Sequence, residues 1–187
     1  VFNRAREANI ANVIVAAGNI EIKEAIENVG GEAILTKPDH ASGSDRIYEA
    51  LNLYDKDSSY DNVINLQGDL PNIKKDALTK IVSLLDSSNS DISTLGVKIS
   101  SDQEILNPNI VKAYIKNLSD NNIVDDFDRS FDLSKKDFLY HHIGIYGYKR
   151  NALEAFIGLN QSKAEIDRKL EQMRAIENDM KIALGLI

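Results

Sequence analysis

The sequence predicts an α/β protein, with a three-layer, mostly parallel central sheet, helices on both faces and a small β-hairpin arm. Three observations carry this reading. Near the start, Asn12-Val13-Ile14-Val15-Ala16-Ala17, an amphipathic stretch and Ala33-Ile34-Leu35-Thr36 follow one another at the spacing of a βαβ unit, whose crossover makes the two strands parallel. Further on, the apolar run Val63, Ile64, Leu66 stops abruptly at Gln67-Gly68-Asp69-Leu70-Pro71, as a buried strand does when it reaches the ligand-bearing edge of an open α/β sheet. Between Ile110 and Val124, two short apolar runs flank Ser119-Asp120-Asn121-Asn122, a turn signal between two strands.

Taken in order, Val1 to Glu7 has helix-forming composition and leads straight into the first strand. Ile22, Ala25, Ile26 and Val29 fall at i, i+3, i+4 and i+7 and predict a helix with one buried face, ended by Gly30-Gly31. After the second strand, Pro38 and Gly43 mark a loop. Ser44 or Asp45 caps a helix that buries Ile47, Ala50, Leu51 and Tyr54. Asp61 to Asp69 forms the central strand, and Asn72 caps a helix that buries Leu78, Ile81, Val82 and Leu85. A polar break at Ser87 to Ser90 precedes strands at Ile92 to Ile99 and Ile110 to Ile115. Asp125 to Asp137 is charged and aperiodic, which reads as a loop. His142 to Tyr148 alternates as a strand, with His142, Gly144, Tyr146 and Tyr148 on one face. A short helix at Asn151 to Ile157, one longer helix from Ala164 to Asn178 with Ile166, Leu170, Met173 and Ile176 inward, and a final strand from Met180 to Ile187 complete the chain.

Composition bounds the function. The 187 residues suffice for one substantial core, and 43% hydrophobic with 27% charged residues is ordinary soluble-globular usage. A formal charge of -7 offers no global attraction to nucleic acid or anionic membrane, so an anionic substrate needs a locally basic pocket. With no cysteine, a disulfide scaffold, a thiol nucleophile and cysteine-ligated zinc are excluded; no apolar run approaches a membrane span, and cytoplasm is the expected compartment.

Three stretches carry chemistry. Gln67 and Asp69 stand at a strand's carboxyl end, where the carboxylate serves as a turn residue or holds a hard cation such as Mg²⁺ together with substrate phosphates. Magnesium rather than zinc is expected, because the donor is an oxygen without a histidine cluster. His40, Ser42, Ser44 and Arg46 gather at a helix start. There the hydroxyls cap the helix, or the free N–H groups and a guanidinium fork receive an anion. The face of His142, Tyr146 and Tyr148, kept shallow by Gly144, suits a polyhydroxylated ligand. His141 and His142 point to opposite faces and do not share an ion; a structural role for one of them is the alternative. Glu171 and Gln172, read alone, are solvated helix residues.

In order and spacing these stretches resemble the 3-deoxy-manno-octulosonate cytidylyltransferases, or CMP-Kdo synthetases. The resemblance rests on Val15-Ala16, Gly30-Gly31, His40-Ala41-Ser42-Gly43-Ser44-Asp45-Arg46, Asn65-Leu66-Gln67-Gly68-Asp69, Asn107-Pro108-Asn109, His142-Ile143-Gly144-Ile145-Tyr146-Gly147-Tyr148 and Leu170-Glu171-Gln172-Met173-Arg174. It spans most of the chain and implies a nucleotidyltransferase-like domain that activates the acid sugar Kdo with CTP for lipopolysaccharide synthesis. It implies Mg²⁺ on Asp69, Arg46 and Gln67 lining the nucleotide and sugar pocket, and His142, Tyr146, Glu171 and Gln172 holding Kdo. A homodimer built on the hairpin region is implied as well.

The chain departs from the family pattern in four places. It has no Pro-Ala-Arg-x-x-Ser-x-Arg-Leu-x-x-Lys phosphate loop, no Phe-Ser-Arg segment after the hairpin and no late Val-Asp-Thr motif, and Ala17-Gly18-Asn19 stands where Thr-Asp is common. The expectation is therefore a single domain over 1–187 that is part of a longer polypeptide, lacking its N-terminal phosphate loop, an internal loop and the C-terminal end. An intact mass equal to 20.8 kDa refutes that expectation. Two other functions are compatible with the sequence: a cytidylyltransferase for another acidic sugar such as sialic acid, and a catalytically silent nucleotide- or sugar-binding domain.

Overall fold

The computed structural model describes residues 1–87, 89–118 and 122–187. The elements run α1 (Phe2–Ala8), β1 (Ile14–Ala17), α2 (Ile20–Asn28), β2 (Glu32–Leu35), α3 (Gly43–Tyr54), β3 (Asn62–Leu66), α4 (Lys75–Ser87), β4 (Ile92–Lys98), α5 (Asp102–Leu106), β5 (Lys112–Tyr114), β6 (Asp126–Asp128), a 3₁₀ turn (Leu133–Phe138), β7 (Leu139–Lys149), α6 (Arg150–Ile157), α7 (Lys163–Arg168), α8 (Met173–Glu177) and β8 (Ile182–Leu186).

The βαβ expectation holds, since β1 and β2 pair in parallel, but they form a two-stranded sheet of their own. So narrow a sheet gives α2 little to pack on. No α2 residue is buried, and Ile22 and Val29, expected in the core, are exposed. The main sheet is organised on β7. One edge of β7 pairs along its length with β4, whose other edge carries β8. The opposite edge is shared by β3, against Ile145 to Lys149, and by β5, against Leu139 to His141. Only β4–β8 is parallel; the β3–β7, β4–β7, β5–β7 and β5–β6 pairings are antiparallel. The sheet is thus mixed rather than mostly parallel, because the long β7 runs against β3 and β4 instead of with them.

Helices cover both faces. On one, Ala77, Leu78 and Ile81 of α4 meet Leu95 and Ile145. Gly147 is required there, because a Cβ would stand 2.6 Å from both Ile81 Cγ2 and Ser93 Oγ. On the other face Leu51, Leu153 and Phe156 pack with Ile92, Tyr148, Ile182 and Leu184.

Several local expectations are corrected. The α3 cap is Ser42, whose Oγ accepts from Asp45 N at 3.2 Å, rather than Ser44 or Asp45. The α4 helix begins at Lys75, three residues past Asn72. The hairpin partner of β5 is β6, within the stretch read as a loop, while Ile123 and Val124 bond across to β8. Arg168 of α7 binds the Asp126 side chain and the Phe127 carbonyl, so charges that look solvated are held by a distant element. Residues 119–121 of the expected turn, and 88 of the polar break, lie outside the described residues. The single helix from Ala164 to Asn178 is two helices. Lys169 takes a left-handed conformation (φ 55) that ends α7, leaving Ile166 59% exposed and Leu170-Glu171-Gln172 as a connection.

Candidate active site

Four elements meet at the first turn of α3. Gly43 there has no side chain, and a Cβ would stand 2.8 Å from Gln67 Nε2, so Gln67 lies directly across the helix start. Its amide is oriented from β3, donating to Asn65 Oδ1 at 3.0 Å. From β7, Tyr148 meets Ser44, hydroxyl to hydroxyl, at 3.1 Å. The rings of His142, Tyr146 and Tyr148 form a ladder with centroids 5.4 and 6.1 Å apart, so the face expected from alternation is present. It survives a bulge: Thr94 pairs with Tyr146 and Leu95 with Ile143, leaving Gly144 and Ile145 without partners on β4. Two extra residues restore the parity of the strand.

Glu171 approaches from the α7–α8 connection. Burial raises its carboxyl pKa, against the pull of the Ser42 and Ser44 hydroxyls and of Arg174. Its Oε1 is buried without a hydrogen-bond partner, an acceptor that a ligand hydroxyl can satisfy. Gln172 beside it is buried at the start of α8. Both positions differ from the solvated helix surface read from sequence alone. Burial, with His141 adding to it, pushes the His142 pKa down to about 3, so this ring is neutral at physiological pH. Burial pushes the Tyr146 and Tyr148 phenols up, and both stay protonated.

The remaining sequence candidates lie differently. Arg46 grips its own loop, donating through Nη1 to Thr36 Oγ1 (2.8 Å) and Lys37 O (2.9 Å) and through Nη2 to Pro38 O (3.2 Å). The fork offered to an anion is engaged with backbone and packed on Gly18, where a Cβ would stand 2.8 Å from Nη1. His40 pairs with Glu49, which also accepts from Lys37 N at 3.0 Å, and this pair holds the same loop to α3. His141 leans toward Glu104, away from the His142 cluster. Asp69 lies exposed two residues beyond Gln67. Gly68 has no left-handed φ and a Cβ there would meet nothing, so the turn does not itself demand glycine. Sequence reasoning missed Thr94 and the Arg174–Glu165 pair, which sit inside apolar patterns. Two surface concavities lie along α1 and between α1 and the start of α4, away from this cluster.

The cytidylyltransferase family profile matches residues 1–182. The chain belongs to the cytidylyltransferase family. Relatives named 3-deoxy-manno-octulosonate cytidylyltransferase include that of Bartonella bacilliformis (strain ATCC 35685 / KC583 / Herrer 020/F12,63), 42% identical over the whole chain and 77% of that protein. That of Bradyrhizobium sp. (strain ORS 278) is 44% identical over the whole chain and 76% of the relative. A solved structure of CMP:2-keto-3-deoxy-manno-octonic acid synthetase, complexed with CTP, superposes with a TM-score of 0.85 at 31% identity, covering all of this chain and 76% of that one. The 4-diphosphocytidyl-2C-methyl-D-erythritol synthase of Anaerococcus prevotii DSM 20548 shares the fold at 12% identity, with a TM-score of 0.61 over 98% of this cytidylyltransferase and 76% of that chain.

Proposed function

We propose that this cytidylyltransferase transfers CMP from CTP to 3-deoxy-D-manno-octulosonate, releasing pyrophosphate and supplying CMP-Kdo for lipopolysaccharide synthesis. The observation that carries the reading is the meeting of Gln67, Tyr148 and Glu171 at the α3 start, with the ring ladder running on through Tyr146 to His142, in a chain about 42% identical to relatives of that name. The sugar hydroxyl attacks the α-phosphorus in line as the bond to pyrophosphate breaks, and no covalent enzyme intermediate is needed.

The chain's residues act by binding and orientation. His142, Tyr146, Glu171 and Gln172 hold the sugar through neutral rings, a phenol and amide or carboxyl oxygens, while Gln67 and the α3 N–H groups face the reacting phosphate. Arg46 acts by fixing the loop that frames the pocket. For Mg²⁺, Asp69 offers an exposed carboxylate just past β3, the oxygen donor type that a hard cation takes. Such a site suits a cation that keeps waters and shares phosphate oxygens. Mg²⁺ bound at Asp69 would supply charge neutralisation between two anionic substrates.

A homodimer is part of the proposal. Tyr114 of β5 stacks on Phe131 at 5.9 Å under Lys135, where the β5–β6 hairpin extends the main sheet rather than forming a separate arm, beside the exposed Leu133 and Phe138, an aromatic surface of the kind found at subunit contacts. The working compartment is the cytoplasm, with no nucleic-acid or membrane partner; no helix among the described residues is long and apolar enough to cross a membrane.

The test is pyrophosphate release from CTP with Mg²⁺ in the presence of Kdo, sialic acid or no acceptor. Release with Kdo alone supports the proposal. Release with sialic acid alone moves the enzyme to another acidic sugar, and no release from folded protein leaves a binding domain.

A further inference from the structure

The geometry points to Thr94 as a positioning residue that fixes His142 in the Nε2–H form, so that Nδ1 is presented as a hydrogen-bond acceptor for a hydroxyl of the sugar substrate. The Thr94 hydroxyl is fully buried in β4 opposite the β7 bulge. Three groups lie around its oxygen: Ile145 O at 2.7 Å, His142 Nε2 at 2.9 Å and Ile143 O at 3.3 Å. A carbonyl carries no hydrogen, and two oxygens at 2.7 Å repel unless a proton stands between them. The only proton available is that of Thr94, so the hydroxyl donates to Ile145 O. This carbonyl belongs to one of the two residues that the bulge leaves without a partner on β4, and the hydroxyl takes over the missing bond.

The consequence falls on His142. With its single hydrogen committed, Thr94 meets Nε2 only as an acceptor, and Nε2 must carry the proton. Burial keeps the ring neutral, so Nδ1 is bare. That nitrogen has no hydrogen-bond partner among the described residues. The neighbouring Tyr146 ring, 5.4 Å away, and the Phe127 ring, 5.0 Å away, hold the imidazole plane. The site thereby offers an acceptor at this point, which selects a hydroxyl and disfavours a carboxylate or phosphate oxygen.

This inference rests on the reading of His142 as a sugar contact, and the experiment separates the two. In the full-length protein, long-range nitrogen–proton correlation NMR reads the His142 tautomer in the wild type, Thr94→Ser and Thr94→Val, alongside KM for Kdo and for CTP. Wild type and Thr94→Ser are expected to protonate Nε2. In Thr94→Val the buried Nε2–H loses its acceptor, and the proton moves to Nδ1. KM for Kdo then rises about three- to tenfold, the scale of one neutral hydrogen bond, with KM for CTP unchanged and Thr94→Ser close to wild type. An Nδ1–H tautomer in the wild type, or an unaltered tautomer in Thr94→Val, overturns the inference. His142→Ala is the control. If it leaves KM for Kdo unchanged, the sugar-contact reading has failed; if it raises KM while Thr94→Val does not, only the role of Thr94 has failed.

Discussion

Removing the guanidinium of Arg174 tests the support beneath Glu171 and Gln172. Arg174 is 3% exposed and Glu165 5%, and the two are joined as a fork, Nε to Oε2 at 2.9 Å and Nη2 to Oε1 at 2.6 Å. The guanidinium also lies 4.7 Å over the Phe156 ring. In Arg174→Met the Glu165 carboxylate stays buried with only the Ser162 N–H and the Gln161 amide for company. Breaking a buried pair in this way costs about 3–5 kcal/mol, a large part of a total that is ordinarily about 5–15 kcal/mol. Adding Glu165→Gln removes the stranded charge and keeps an acceptor for Ser162 N, so the double variant is expected to recover at least about half of the loss. The pH dependence supplies a second check. Burial alone would raise the Glu165 pKa, but the Arg174 hydrogen bond and the Ser162 N–H outweigh it and hold the pKa below its ordinary 4.5. In the wild type this contribution is present above pH 4.5 and is lost as pH falls through the folded pKa. In Arg174→Met burial prevails and the pKa rises, so the variant's deficit shrinks as pH is lowered from 7 towards about 4.5. Urea unfolding at constant m reads both quantities. A loss under about 1 kcal/mol, or a deficit that does not change with pH, refutes this account of the pair.

Three further outcomes are expected. His142 has a folded pKa of about 3 against 6.5 when exposed; the unfolded chain therefore takes up a proton first, and His142 contributes a loss of stability as pH falls from 6.5 towards 3. His142→Gln should flatten that part of the urea-midpoint profile, and an unchanged slope would show the ring to be more accessible than its packing indicates. Asp69 is exposed and makes no side-chain hydrogen bond among the described residues, so Asp69→Asn should leave stability within about 0.5 kcal/mol while lowering kcat by about a hundredfold or more and weakening the Mg²⁺ response; full activity at wild-type Mg²⁺ would remove Asp69 from the site. Gly147→Ala forces a methyl to within 2.6 Å of Ile81 Cγ2 and Ser93 Oγ and should cost about 1–3 kcal/mol by chemical denaturation, with no cost if α4 can move off the sheet.

Much of the fold was legible because its rules are local. The βαβ unit, the α4 face and the His142–Tyr148 alternation follow from side-chain periodicity within one segment. The misreadings arise where distant residues decide. Ile166 has the right spacing for a core face, yet a left-handed Lys169 ends the helix, and the charged Glu165 and Arg174 are buried beside the expected Leu170 and Met173 while Ile166 is not. The α2 stripe is regular, but helical period cannot report how wide a sheet the helix will meet. Asp126 and Asp128 look solvated until Arg168, about forty positions away, is placed beside them. The candidate site was legible as a set of residue types in order: Gln67 and Glu171 lie at the α3 start, and the ring ladder leads from Tyr148 there through Tyr146 to His142. Thr94 was not, since a threonine in an apolar strand carries no signal until the bulge opposite it is known.

The distribution of charge around the cluster follows from these placements. CTP and an acid sugar are both anions, and the chain carries a formal charge of -7, so attraction at the site has to be local. The two arginines nearest the cluster do not supply it freely: Arg46 is held by three backbone or hydroxyl acceptors and Arg174 by Glu165. Neutral His142 and protonated Tyr146 place uncharged hydrogen-bonding groups at the proposed sugar contacts, and burial raises the carboxyl pKa of Glu171 beside them. Among the described groups at the cluster, the attraction then falls to the α3 N–H groups, whose partial positive end acts only at short range, and, under the proposed function, to a cation that Asp69 would hold. On this argument, raising ionic strength should affect KM for the sugar less than KM for the nucleotide, because hydrogen bonds to neutral groups are not screened.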